Sequence, residues 1–537
     1  MSLERLGRKL YPPNVPVELE IPAWRVFDLL KNSVDKYPDN DVFIFYEYHR
    51  TYSELWQDVN RFARALQDRG LNPGDRVALM LPNCPQYIIA YYGTLLAGGI
   101  VTQINPLLVE PELQALLEDS GSRMIVALEA VLPRVHSVRP HTAIELVLGV
   151  NLEGKPIAMD GVEKFSTLMA SVVDPVPQAV EVRPEDPAVL QYTGGTTGRS
   201  KGAVLTHGNL VANVMQMHVF NELYAGEERS LAVIPLFHVY GMTVVMNLGV
   251  HVGATMVLLP RFDLSQVLAA IHDHKITLWP GVPTMYVALS QVPGLDPASV
   301  GSIRLCNTGS APMPLDVMHQ FEEKTGATIL EGYGLTEASP TTHAHAPWMP
   351  RKSGTVGIPL PSTEFRIVDP HSRQDLGSGQ LGELWVRGPQ VMKEYWKRPE
   401  ETAATLVEGG WLRTGDLASC DEDGYVTIVD RLKDLIIASG YNVYPREVEE
   451  VLYQHPDVLE AVVVGAPDAY RGETVRAVVV LKPGSQLDSH ALNHYLSQHL
   501  AAYKRPTIIE FRSQLPKSAV GKILRRVVRD ESANPPA

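Results

Sequence analysis

Cysteine is scarce. Cys84, Cys306 and Cys420 are the only three in 537 residues, odd in number and far apart. That excludes a disulfide framework and a CxxC metal pair, and it suits a reducing, cytoplasmic setting. An excess of positive charge is missing too. The chain carries 47 Lys and Arg against 61 Asp and Glu, a net charge of −14. This argues against a general nucleic-acid binder, which needs a basic surface to displace counterions. A locally basic site for a polyanionic small molecule stays open. Met1 to Pro16 has no apolar h-region, so no secretory signal is read. No repeat or low-complexity tract occurs, and without a GxSxG elbow or an HExxH helix the hydrolase readings have no support.

Charge is also absent from Leu231 to Pro260, a stretch long enough to span a bilayer. It contains Pro235, His238, Asn247 and His251, with Gly241, Gly249 and Gly253. It therefore reads as a buried strand–loop–helix–strand rather than a membrane span.

What is present points to a large soluble α/β protein. Apolar residues make up 45% and charged residues 20%, ordinary for a globular chain, and the length calls for two or more domains. Thr51 to Gly70 reads as a helix: Thr51 and Glu54 have capping-box spacing, Leu55, Val59, Phe62 and Leu66 form one apolar face, and Gly70 closes the end. Asp75–Leu81 reads as a buried strand, Gln86–Leu96 as a helix and Gly99–Ile104 as a further apolar stretch. This βαβ alternation predicts mostly parallel sheets covered by helices. It continues to about residue 430, with Pro/Gly/Ser-rich connectors at 350–362 and 375–382 that fit a strand-richer sublobe. After Arg431 the pattern turns compact, with helices near Arg446–His455 and Ser489–Leu500 and strands near Glu460–Gly465 and Val475–Lys482. A small second domain is expected there, ending in a frayed SANPPA tail.

The strongest chemical signal is Tyr192–Gly202 (YTGGTTGRSKG), following the apolar run Ala188–Leu190. Glycines let backbone N–H groups close around phosphate oxygens, while Thr193, Thr196 and Thr197 offer hydroxyls and Lys201 a positive charge. The spacing is not GxxxxGK[ST], which disfavours an ordinary P-loop NTPase. Taken alone, the segment also reads as a flexible Gly/Thr loop.

This loop resembles the phosphate-binding signature of the ANL superfamily, the adenylate-forming acyl-CoA synthetases, peptide-synthetase adenylation domains and beetle luciferases. Further signatures of that superfamily follow in order: GSAP at 309–312, YGLTE at 333–337, GEL at 382–384, WLRTGD at 411–416, DRLKD at 430–434 and PKSAVGK at 516–522. The match runs over essentially the whole chain. Gly194 stands where Ser is frequent and Ser200 where Pro is frequent, and both keep the loop small. FHVYGM at 237–242, LPRFDLSQVL at 259–268, RGPQVMKEYW at 387–396 and IIASGYNVYPREVEEVLYQHP at 436–456 make the resemblance nearest to bacterial long-chain fatty-acid–CoA ligases.

The resemblance implies an α/β fold: a large multi-lobed N-terminal domain (1–432) with parallel βαβ sheets and a smaller strand-rich sublobe, and a small mobile α/β domain (433–537) that rotates about Lys433. It implies that ATP and Mg²⁺ activate a carboxylic acid to acyl-AMP, and that the acyl group passes to coenzyme A. Gly194, Gly195 and Gly198, with the three loop threonines and Lys201, would cradle phosphate. Asp416 would hold the ribose with Arg431 beside it, Tyr333 would stack on adenine, and Glu331 and Gly332 would border the base. Gly309, Ser310, Ala311 and Gly334, counted with the nucleotide-binding residues, could together with Ala338 leave an apolar slot for the acid. Thr336 and Glu337 would hold Mg²⁺, whose preference is for hard oxygen ligands. Lys522 would stabilise the transition state of adenylation, His238 would sit where acid and thiol channels meet, and Ser439, Gly440 and Tyr441 would line a pantetheine tunnel.

Each of these has a bland counterpart: a turn aspartate, a core tyrosine, a surface ion pair, a packed histidine. Arg525, Arg526 and Arg529 read as a solvated basic face. His343 and His345 lack partners at ligand spacing and are not read as a metal site. Some relatives carry a tryptophan gate after the His238 position, and none occurs between Phe237 and His251, which leaves chain length open. Aryl-acid ligases of the 4-coumarate type, medium-chain ligases, a luciferase-type oxygenase and a non-catalytic acyl or nucleotide binder are the alternatives. The partners expected are a fatty acid, ATP and CoA, with no nucleic acid, at most peripheral membrane contact, and a homodimer by analogy.

Overall fold

The computed structural model describes residues 6–155, 157–193, 200–438, 441–468 and 471–533. Local signals and structure agree first at the helix Tyr52–Asp68. Thr51 N–H donates to Glu54 Oε2 at 2.9 Å and Glu54 N–H to Thr51 Oγ1 at 3.2 Å, so both ends of the capping box are made. Gly70 follows at φ +82°, the left-handed turn for which glycine carries no Cβ penalty. The strand Arg76–Met80, the helix Pro85–Leu96 and the strand Ile100–Gln103 complete the expected βαβ unit.

Among the described residues, two large sheets dominate. One has nine strands, with Leu305–Thr308, Leu278–Gly281, Arg229–Ala232 and Thr255–Leu258 at its centre. The other has eight, centred on Ile100–Gln103, Arg76–Met80 and Met124–Leu128. The inner pairings are parallel, as the alternation requires, and the edges turn antiparallel except at Val162–Lys164, which pairs parallel. One continuous apolar core joins these sheets and their helices. The connector-rich stretch yields a third, antiparallel sheet built from Glu364–Val368, Gly382–Arg387, Leu406–Val407, Trp411–Cys420 and Val426–Arg431.

The charge-free stretch 231–260 is interior packing. It holds a π-helical turn, Gly241–Asn247, then a short helix, Leu248–His251, and the strand Thr255–Leu258. Its buried Asn247 finds partners: it accepts from Tyr92 at 2.9 Å and donates to Tyr91 at 3.1 Å. A Cβ at Gly241 would stand 2.2 Å from the Pro235 carbonyl oxygen, so only glycine permits that close approach. No helix among the described residues is long and apolar enough to cross a membrane.

The C-terminal part has a sheet of its own, Tyr441–Val443, Ile436–Ala438, Gly472–Leu481, Val458–Asp468 and Ile508–Phe511, with an apolar cluster on each face. The helices Pro445–Tyr453 and Ser489–His499 cover one face. Leu515 and Val528 close the other. Val528 belongs to a helix, Arg525–Ala533, so the first two residues of the SANPPA tail are helical; the rest of the tail lies outside the described residues.

That helix corrects the reading of its arginines as a solvated face. Arg525 donates to Glu449 at 2.7 Å and to Asp430 at 3.2 Å, and Arg529 to Asp434 at 3.0 Å. Helical periodicity puts residues four apart on one face, and the carboxylates they meet lie 76 to 95 positions away in the chain, which a local charge count cannot register. Arg526 alone behaves as expected, pairing with Asp530 at the surface.

Candidate active site

The C-terminal ends of the central strands and the third sheet face one cleft. The strand Ile329–Gly334 carries Gly332, Tyr333 and Gly334 to its rim and leaves Glu331 buried below it. Across from it, Asp416 and Arg431 are register partners on adjacent antiparallel strands, which fixes their side chains next to each other. Tyr333 donates its hydroxyl to Asp416 Oδ2 at 2.5 Å, and Arg431 Nε lies 3.2 Å from Asp416 Oδ1. Asp416 is 6% exposed. Behind it, Glu383 of the GEL segment is buried and accepts from Arg413 at 3.0 Å, Trp385 at 2.9 Å and the Gly415 amide at 3.2 Å, pinning the turn that presents Asp416. Gly334 has a structural reason of its own, since a Cβ there would meet the Pro340 carbonyl oxygen at 2.1 Å.

Lys522 reaches this cleft from the small domain. Its loop is a tight turn in which Ser518 N–H donates to the Lys522 carbonyl at 2.8 Å, and Gly521, at φ +80°, places its carbonyl 3.4 Å from Thr284 Oγ1 of the large domain. Desolvation, then the neighbouring Arg431 charge, pull the Lys522 ammonium down to about 8, with Asp416 opposing. Lys433, in the turn Leu432–Asp434, is lowered by the same two causes.

His238 belongs to this group as well. Burial, then the charge of Lys522, hold its ring down to about 4, so it is neutral at ordinary pH. Its Nδ1 accepts from the Tyr240 amide at 3.3 Å, which leaves the proton on Nε2. Tyr240 in turn stands beside Gly309: its ring lies 3.6 Å from the position of a Gly309 Cβ. Ser310 follows at φ +67°, turning the GSAP segment sharply.

A second cluster lies on the strand pair that flanks the glycine-rich segment. Thr193 and Lys201 are cross-strand partners on Pro187–Thr193 and Lys201–Thr206. Lys201 Nζ sits over the Tyr395 ring at 5.2 Å, and the Tyr395 hydroxyl donates to Glu337 Oε1 at 2.6 Å. Glu337 and Thr336 form a 3₁₀ turn at the end of the YGLTE segment. Tyr395 was not singled out by sequence reasoning. It lies within RGPQVMKEYW, and only the pairing of Glu394–Tyr395 with Lys201–Thr206 brings it to Glu337. Two hard oxygen donors, the second Glu337 carboxylate oxygen and the Thr336 hydroxyl, fit a cation that takes the rest of its shell from phosphate and water. No group of three or more metal-ligating side chains occurs among the described residues.

Other sequence candidates sit differently. Glu331 is buried, its carboxyl pushed up to about 7 by desolvation against the Met313 amide and Arg446. His343 and His345 are buried and neutral, drawn by desolvation to about 3 and about 4, with Thr342 and Thr355 as partners. Tyr441 is exposed on the small domain and stacks on Tyr503 at 4.7 Å, apart from the Lys522 cluster. Gly194, Gly195, Thr196, Thr197, Gly198, Ser439 and Gly440 lie outside the described residues.

Fold and cleft together define a two-domain α/β protein in which a small domain delivers a lysine to an acidic, aromatic-lined rim of a large one. The chain belongs to the AMP-binding enzymes: the family model matches residues 30–396, and that of the AMP-binding enzyme C-terminal domain matches 447–522. It is 43% identical to a long-chain-fatty-acid–CoA ligase of Bacillus subtilis, covering 97% of each chain, and 38% identical to one of Escherichia coli, covering 99% of each. Among solved structures, ATP-bound MatB from Rhodopseudomonas palustris superposes with a TM-score of 0.88 at 31% identity, covering 95% of this chain and 99% of that one.

Proposed function

We propose that the chain is an acid–thiol ligase acting on fatty acids, with a long-chain acid as its substrate and ATP and coenzyme A as co-substrates. In the first half-reaction a carboxylate oxygen bonds to the α-phosphorus of ATP and the bond to pyrophosphate breaks, giving acyl-AMP. In the second, the CoA sulfur bonds to the acyl carbon, AMP leaves with the electron pair, and the thiol proton passes to solvent.

The observation that carries this reading is the meeting of Lys522 with Asp416, Arg431 and His238 at one cleft. An ammonium held among desolvating atoms stabilises charge that builds on the phosphorus in the transition state more than charge already present in ATP. Asp416 has two oxygens for ribose hydroxyls, and Tyr333 offers an aromatic face for the base. Thr193, Lys201 and the glycine loop take the phosphates, and Glu337 and Thr336 would hold Mg²⁺, which would supply charge neutralisation there. Neutral His238, with its proton on Nε2, donates toward the acyl carboxylate.

The domain boundary is set at 432/433. After adenylation the small domain turns about Lys433, withdraws Lys522 and brings the Tyr441 face to the cleft, so one site serves two half-reactions. A cytosolic setting agrees with three buried, unpaired cysteines. Sedimentation of the purified chain reads the dimer expected by analogy.

The test incubates the protein with ATP, Mg²⁺, CoA and a panel of short to long fatty acids, 4-coumarate and benzoate, recording pyrophosphate and acyl-CoA separately. Acyl-CoA from the longer fatty acids is expected. Turnover of the aryl acids alone would replace the fatty-acid assignment, and pyrophosphate without acyl-CoA would replace CoA as acceptor.

A further inference from the structure

Asp119 lies outside every signature segment and touches none of the candidate site residues, yet it gathers four hydrogen bonds from two segments that border the phosphate side. Its carboxylate accepts from Tyr192 Oη at 2.7 Å and from Arg398 Nη2 at 2.7 Å. Its backbone carbonyl accepts from Trp396 Nε1 at 3.1 Å and Lys397 Nζ at 2.7 Å.

The two segments are the ones that carry phosphate-side groups. Tyr192 directly precedes Thr193, and its ring packs flat on Gly202, where a Cβ would stand 3.1 Å from the ring. Trp396, Lys397 and Arg398 directly follow Tyr395, whose hydroxyl holds Glu337 and whose ring lies under Lys201. The Trp396 amide donates to the Gly202 carbonyl at 2.7 Å, which ties the 395–398 segment to the Lys201 strand.

Helix stability does not account for an acid at this place. Asp119 is the penultimate residue of the helix Glu110–Ser120, which ends on Gly121 at φ +61°. A carboxylate there faces the negative end of the helix dipole and weakens the helix. The terminal carbonyls of a helix have no partner within it, and here one of them becomes the acceptor for the 396–397 side chains.

We propose that Asp119 is a positioning residue for the nucleotide phosphates, fixing the Tyr192 and 395–398 segments so that Thr193, Lys201 and Glu337 hold one spacing. The proposal rests on the reading of those residues as the phosphate side of a ligase. Its test is the kinetic split between substrates in full-length Asp119→Ala, with binding of a non-hydrolysable ATP analogue measured by calorimetry. Losing a charged acceptor and its partners predicts a KM for ATP raised about tenfold, with KM for the fatty acid and for CoA unchanged. Analogue binding weakens by a similar factor.

In the double variant with Tyr395→Phe the losses combine to less than their product, since both act through one segment. A lower melting temperature and a smaller active fraction with KM for ATP unchanged would make Asp119 a structural staple and overturn the proposal. Additive losses would overturn it too. If Asp119→Ala does not fold, Tyr192→Phe and Arg398→Gln each remove one of its bonds and must each raise KM for ATP, or the proposal fails. Wild-type protein that binds the analogue but releases no pyrophosphate with any acid would sink the ligase reading alone.

Discussion

The Tyr333–Asp416–Arg431 group and the Lys522 loop meet at one cleft but are held in different ways. The first sits on strands: Asp416 and Arg431 face each other by sheet register, and buried Glu383 pins the Arg413–Gly415 stretch that presents Asp416. The second rests on a short turn closed by Ser518 and on a contact between Gly521 and Thr284 across the domains. Recognition of a constant nucleoside calls for fixed geometry. On the proposed reading, a charge needed in one half-reaction and unwanted in the next calls for a support that lets go.

The largest effect that separates the two groups comes from Lys522→Ala. Pyrophosphate release with a fatty acid is expected to fall about 10²–10³-fold, as when one preorganised transition-state donor is removed, while ATP binding changes little and thioester formation from synthetic acyl-AMP persists. Equal loss in both half-reactions would erase the distinction. Asp416→Ala should act in the opposite sense, raising KM for ATP about 10–100-fold through the loss of a charged acceptor, with a smaller effect on the rate at saturating ATP.

Titration sharpens the comparison. Burial and Arg431 bring Lys522 to about 8, so its charged form prevails below that pH. Single-turnover adenylation is expected to fall about tenfold for each pH unit above it. Asp416 favours the ammonium, so Asp416→Asn moves the break to lower pH. A profile flat up to pH 10 would remove Lys522 from the charge-stabilising role.

Gly521→Ala tests the loop's support. Its Cβ would meet Thr284 Oγ1 at 2.7 Å at a φ of +80°, and left-handed backbone costs an alanine about 1–2 kcal/mol. A several-fold loss of adenylation is expected, with the second half-reaction spared, read by the same two assays. Thr51→Ala, far from the cleft, gives the smallest effect: loss of the capping box lowers stability by about 1 kcal/mol in a denaturation curve and leaves both half-reactions unchanged.

Local signals proved legible where physics is local. The capping box, the βαβ alternation, the strand into the glycine loop and the small domain's helices all follow from periodicity and caps. The arginines of the last helix were misread because their carboxylates, Asp430, Asp434 and Glu449, are distant in the chain. Tyr395 and Asp119 went unnoticed for the same reason, since nothing in a window around either names Glu337 or Tyr192 as its partner. Glu331 has its carboxyl near 7 because the strand sinks it below the rim, which no spacing reveals.

The order of residues by itself determined the α/β class and the existence of a second small domain, because propensity and periodicity are carried within short windows. Tertiary structure alone decided that Lys522 comes within electrostatic reach of Asp416 and His238, that His238 is neutral with its proton on Nε2, and that Glu337 is held by Tyr395. Those facts depend on desolvation and on contacts between strands and domains, and both arise only when distant segments exclude water together.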